Sequence, residues 1–285
     1  MHPNFAFSAT QILWTLTFAA QLVLLVVLLG RDRINRYPWF SASIVLFALR
    51  LLTEVLLGGR LPQMTLRSVF ISFADLTALL SLAVVVEIAR RAFAGAPRGV
   101  WVGWSLAAMV VAGGVLYFWG PWPARAELAA DSPLALLRLM QFVAQKMDML
   151  VDVLSIELGL LVLAAGRRYK AGWRSHTQAI AIGLSTVAVA WLSVQGAWQV
   201  IARTVHPLTR ADYERVINLG NKLVNANKVV YIAVLVWWIL WLWFDEPGAT
   251  ETGSETPVEE SATDGQAALL TEWPSRDEGG ETEQA

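Results

Sequence analysis

Apolar and polar positions alternate along this chain on the scale of whole membrane crossings. Seven apolar runs, at about 11–30, 37–58, 68–89, 99–120, 139–166, 177–201 and 228–244, are long enough to cross ~30 Å of hydrocarbon as helices. The last run is the shortest, but helical pattern continues upstream of it through 211–227, and Thr209 stands where a cap belongs. Its helix is therefore expected to begin in the preceding loop. Within that loop, 203–227, Asn218, Asn221, Asn225 and Lys228 recur on one side. The stretch either covers the outer mouth of the bundle or is a solvated extension of the seventh helix. After Phe244 the pattern stops, and Glu, Thr, Gly, Ser, Pro and Ala dominate a segment too polar to offset the entropy of ordering. The expected fold is all-α: a seven-helix transmembrane bundle over 1–244 and a disordered acidic tail over 245–285.

The fifth run breaks the apolar pattern. At 100° per residue, Gln141, Gln145, Asp148, Asp152 and Ser155 share one narrow arc of the helix. Asp152 lies near the middle of the run, where a carboxylate costs roughly 2.5 kcal/mol or more unless it is paired, protonated or hydrated. Lys146 and Glu157 project from the opposite side, so protein should flank this helix on both sides. Other runs supply partners at the same depth. Arg50 and Glu54, four apart, can pair on the second; Asp75 follows Ser68 and Ser72 on the third; Gln195 and Gln199 lie on the sixth. The candidate ligand- or cation-binding set is Asp148, Asp152, Gln145, Gln141, Arg50, Glu54, Asp75 and Gln195. With Arg50 and Lys146 set against four carboxylates, this half of the bundle is acidic. Protonating a carboxylate or admitting a cation would relieve the imbalance. The alternative is a buried network that only holds helices together.

Charge then supplies orientation. The loops after runs one, three and five carry ten Lys and Arg, and those after runs two and four carry Arg60, Arg67, Arg125 and Arg138, which favours N-outside and C-inside. The loop after run six adds Arg203, Arg210, Arg215 and Lys222, partly offset by Asp212 and Glu214. Residues 1–10 lack Lys and Arg while Arg31, Arg33 and Arg36 follow the first run, the reverse of a cleavable signal peptide, so a retained first helix is expected. The net charge of −1 hides two opposed parts. Residues 1–244 hold 21 Lys and Arg against 11 acids, whereas 245–285 hold 12 acids and Arg276. Inside the tail, Ala267, Ala268, Leu269, Leu270 and Trp273 form an apolar patch suited to a cytoplasmic protein partner, unless it is an accidental run. Gly99, Gly103 and Ala107 permit close helix approach, within the bundle or in a homo-oligomer. The lipid bilayer is the main expected partner; nucleic acid is not one.

Several chemistries are excluded by what is missing. There is no cysteine, and His2, His176 and His206 all fall outside the predicted spans, so a bis-histidine haem and a histidine-based zinc hydrolase lack ligands. The seventh run has no interior lysine for a retinal Schiff base, since Lys228 stands at its edge. No Walker loop or His-Glu-x-x-His motif is present. No cofactor is expected, and an enzyme is the least supported class.

Tyr37-Pro38-Trp39-Phe40 at the start of the second run, Glu87-Ile88-Ala89-Arg90-Arg91 at the end of the third, and the Trp-rich close of the seventh resemble a group of small uncharacterised bacterial seven-helix integral membrane proteins. The resemblance covers the membrane body and not the tail. It implies the helix count and a bacterial inner membrane, and brings no activity or ligand. The functional expectation is a membrane sensor or signalling-type protein with an outward-facing polar pocket and output through a cytoplasmic partner. A small transporter or proton- or cation-coupled permease using the same carboxylates is the alternative, and a scaffold or accessory subunit is the third.

Overall fold

The computed structural model describes residues 9–57, 60–119, 122, 133–165, 175–205 and 209–245. The chain divides into Met1–Glu246 and Pro247–Ala285. The second unit, with the expected disorder of the tail and the patch at Leu269, Leu270 and Trp273, lies outside the described residues. Eight helices are described: α1 (Ala9–Gly30), α2 (Arg33–Arg36), α3 (Pro38–Leu57), α4 (Gln63–Ala92), α5 (Arg98–Phe118), α6 (Pro133–Ala165), α7 (His176–Thr204) and α8 (Arg210–Trp243). No strand occurs among the described residues.

Local chemistry sets most of the boundaries. Pro38 opens α3, where its missing N–H costs no helical hydrogen bond, and Pro62 and Pro97 precede α4 and α5. Ser175 Oγ accepts from the Gln178 backbone N–H at 3.2 Å, which starts α7 one residue earlier than expected and makes His176 its first residue. Thr209 Oγ accepts from the Asp212 N–H at 3.2 Å and starts α8 well upstream of the seventh apolar run. The 210–227 stretch is thus the first half of one continuous helix. It packs on α7, where Gly220 lies so close under the Trp198 indole that a side chain there would collide with it.

Six helices, α1, α3, α4, α5, α7 and α8, are long and apolar enough to cross a bilayer, as in a multi-pass membrane protein. Their outward faces match, with Val26, Leu29, Val110 and Phe118 all more than 60 % exposed. The remaining long helix, α6, has 33 residues, but every 18-residue stretch of it holds at least three charged side chains. The polar stripe itself sets it apart.

Contacts run in a circuit: α1 on α3, α3 on α4, α4 on α6, α6 on α7, α7 on α8 and α8 back on α1. Helix α4 also reaches α7, while α5 is attached through α6. Gly159 of α6 admits the Ser185 hydroxyl of α7, which donates to the Ser155 carbonyl at 2.6 Å. In α5, Gly99, Gly103 and Ala107 are exposed, and a side chain at either glycine would meet nothing. That surface makes no close approach within the bundle.

Burial is concentrated at one end. Leu24, Leu28, Phe40, Ile44, Ile88, Ile180, Leu235 and Leu242 are all nearly inaccessible, and they come from the end of α1, the start of α3, the end of α4, the start of α7 and the end of α8. Between helices in lipid such a core coheres through dispersion and hydrogen bonds rather than through transfer from water. Polar contacts close the same end. The buried Glu87 carboxylate accepts from the backbone N–H groups of Phe40, at 3.1 Å, and Trp39, supplying from α4 the acceptor that the first turn of α3 lacks. Arg91 approaches Glu87 at 3.7 Å and lies 5.0 Å over the Tyr37 ring, and the Tyr37 hydroxyl is 3.0 Å from that of Thr177. Phe40 packs edge-on against Trp238, whose indole N–H donates to the Ala179 carbonyl at 3.2 Å. His176 Nε2 lies 3.0 Å from the Phe244 carbonyl, and Arg33 pairs with Asp245 at 2.8 Å. The Tyr-Pro-Trp-Phe, Glu-Ile-Ala-Arg-Arg and Trp-rich stretches, remote in sequence, meet in this knot.

Candidate functional site: a polar groove between two parallel helices

At the opposite end a groove lies between α4 and α6. Gln63, Arg67, Phe70, Ile71 and Ala74 recur on one face of α4, and Gln141, Ala144, Gln145 and Asp148 on one face of α6; together with Leu66 they line a groove of about 420 Å³. Ala74 and Ala144 are too small to fill it. Arg67 Nη2 donates to Gln141 Oε1 at 2.8 Å at the rim, and Asp75 lies within electrostatic reach of Asp148 two turns deeper. Matching early residues with early and later with later means that α4 and α6 run parallel. Arg50 of α3 also lies within electrostatic reach of Asp148, and Asp148 of Asp152.

The expected residues separate into two sets. Gln141, Gln145 and Asp148 line the groove, with Gln145 exposed and the other two half-buried. Asp152, one turn below Asp148, is half-buried, and its Oδ2 is shielded and has no hydrogen-bond partner among the described residues. Asp75 and Arg50, both half-buried, complete an acidic cluster with one cation. Glu54 stays outside this set: it is exposed, and no ion pair joins it to Arg50 among the described residues. Gln195 is half-buried on α7 and does not line the groove. Ser155, the last member of the stripe, is buried and donates to the Val151 carbonyl of its own helix at 2.7 Å.

The far side of α6 behaves differently. Lys146 Nζ donates to the Leu116 and Trp119 carbonyls at 3.1 and 2.7 Å, so it caps the last turn of α5, and it lies 4.8 Å from the Trp122 ring centroid. It is no counter-ion for the groove. Asp148 thus lines the floor of the groove and Arg67 its rim, while Asp75, Asp152 and Arg50 stand behind the lining, linked to it electrostatically through Asp148.

Sequence reasoning missed Arg67, which was counted as a loop cation, and Gln63. Both lie on α4 because that helix starts at Gln63 rather than near Ser68, and the four-residue spacing from Gln63 to Arg67 toward Ile71 and Ala74 is the signal that carries them onto one face. No group of three His, Cys, Asp or Glu side chains among the described residues is arranged to hold a metal ion, so these carboxylates form a graded column and not a chelate. In comparisons with protein-family models, curated proteins and solved structures, nothing matches this chain.

Proposed function

We propose that the chain is a seven-helix inner-membrane sensor whose groove takes up a proton or a small cationic ligand at Asp148 and Asp152, with Arg50 as internal counter-ion. The observation that carries this reading is the contrast along the bundle: a polar groove is open at one end and sealed at the other by the knot around Glu87. A permease needs a polar path to both faces, and in this reading the groove ends against closely packed side chains such as Leu24, Leu28, Ile44 and Leu235. A ligand that neutralises the acidic cluster binds more tightly to the arrangement in which α4 and α6 close around it, and that difference shifts the helix equilibrium.

In this reading α6 is the seventh span. It is about 50 Å long at 1.5 Å per residue and lies parallel to α4, with α5 running back between them. Its charged residues are met by the groove on one side and by the α5 terminus at Lys146 on the other. The loop charges favour the groove end outside and the knot end in the cytoplasm, and the resemblance supports a bacterial inner membrane. Output passes through the acidic tail, which starts at Asp245 on the knot, to a protein that recognises the Leu269, Leu270 and Trp273 patch.

The test is a cation titration of the full chain in lipid nanodiscs, followed by tryptophan fluorescence, with a parallel flux assay in proteoliposomes. A saturable change that is lost in Asp148→Asn and Asp152→Asn, with no cation flux, supports the sensor. Carboxylate-dependent flux makes the protein a permease, and neither response leaves a scaffold.

A further inference from the structure

A second site stands on the other side of α6, near the knot end. Leu154, Glu157, Leu158 and Leu161 follow one another at helical spacing and face α4 and α5 across a crevice of about 230 Å³. That is larger than the roughly 150 Å³ apolar cavity known to take up benzene. The crevice exists because α5 leans on α6 and leaves a gap toward α4. Its walls are almost wholly apolar, with Leu82, Val85 and Ala89 from α4 and Trp104, Ala108 and Met109 from α5. Val86, Trp104 and Met109 are exposed, so the crevice opens sideways onto the surface that lipid wets.

Glu157 is the one charged side chain in this lining. Both of its carboxylate oxygens are shielded, and neither has a hydrogen-bond partner among the described residues. Among the described residues no cation pairs with it. Lys146, on the same side of α6, is eleven residues away, about 16 Å along the axis, and is committed to the α5 carbonyls. Arg91 is engaged with Glu87 and Tyr37, and Arg90 is exposed. A buried carboxylate without a donor is costly to maintain, and a charge-assisted bond from an incoming group relieves that cost.

We propose that this crevice is a binding site for a lipophilic amine that enters laterally from the bilayer, lays its apolar chain between α4 and α5, and places its protonated nitrogen against Glu157. The amine form is favoured over a fatty alcohol or acid by charge: only a cation both donates to the carboxylate and neutralises it. The site is separate from the polar groove, because its residues face away from Asp148 and its ligand comes from the membrane.

The probe is tritiated dodecylamine, bound to the full chain in lipid nanodiscs and corrected with protein-free discs, with dodecanol and dodecanoate as competitors. One saturable site per chain is expected, displaced by dodecylamine at a concentration about tenfold or more below that needed of dodecanol. Glu157→Gln should weaken binding by about the same factor, Ala108→Phe should block it by filling the crevice, and Asp152→Asn should leave it unchanged. Dodecylamine should also protect Glu157 from a membrane-soluble carbodiimide, read by mass spectrometry at that residue. Equal competition by dodecanol, wild-type affinity in Glu157→Gln, or no saturable binding above protein-free discs overturns the proposal. Should Glu157→Gln fail to fold, the competition and protection experiments on the wild type decide alone. Loss of dodecylamine binding in Asp152→Asn would instead mean that the amine occupies the groove.

Discussion

The two ends of this bundle use the same kinds of residue for opposite purposes. At the knot end Glu87 is buried and fully engaged, with two backbone N–H groups and Arg91 around it, and the side chains nearby are among the least accessible of the described residues. At the groove end Asp152 is also shielded, yet one of its oxygens has no partner among the described residues, and its nearest electrostatic neighbour, Asp148, carries the same charge. An acid whose hydrogen bonds are complete supports a structure; an acid whose bonds are incomplete is available to bind something. In the proposed reading, this contrast separates structural from ligand-binding carboxylates within one membrane domain.

Substitutions should sort by end. The largest stability loss is expected for Glu87→Ala, which removes an α3 cap and leaves Arg91 without its carboxylate: about 2–3 kcal/mol, measured by thermal unfolding in detergent. A loss below about 0.5 kcal/mol would mean that the knot is not what holds this end closed. Gly159→Leu drives a side chain into Ser185 and should cost about 1–3 kcal/mol through the α6–α7 contact, with little effect on ligand uptake at the groove. Arg67→Ala removes one hydrogen bond at the exposed rim and should cost less than about 1 kcal/mol, while widening the rim enough to speed ligand exchange in stopped-flow fluorescence. Smallest is Asp245→Ala. Its pairs with Arg31 and Arg33 are at the surface and should be worth at most about 1 kcal/mol, a difference that vanishes in high salt.

Much of the fold was legible because length and hydropathy alone constrain a helix in lipid. The runs at 11–30, 37–58 and 177–201 coincide with α1, α3 and the apolar part of α7 within a few residues, and Thr209 marks the start of α8. The start of α4 was not legible. Gln63 and Arg67 lower the hydropathy of its first turns, yet the helix continues there because Pro62 gives it a start and α6 gives it a polar face to meet. The stripe on the fifth run is periodic enough to put Gln141, Gln145, Asp148 and Asp152 on one face, but which neighbours answer it depends on packing that no single helix encodes. Glu54 and Gln195 share the depth of the stripe and point elsewhere, whereas Glu157, set aside as the opposite face, lines a crevice of its own. The part played by Tyr37, Glu87 and Trp238 was hidden for the same reason: the knot comes from residues as much as 212 positions apart.

The central claim is that the incomplete carboxylates at the groove end bind a proton or cation. Isothermal calorimetry of the purified full chain across pH, for wild type and Asp152→Asn, tests it most directly. Proton or cation uptake that the substitution removes, with thermal stability unchanged or slightly raised because a shielded charge is gone, is the predicted result. No uptake by either protein, together with a clear loss of stability in Asp152→Asn, would place Asp152 with Glu87 as part of the framework and contradict the division between the two ends.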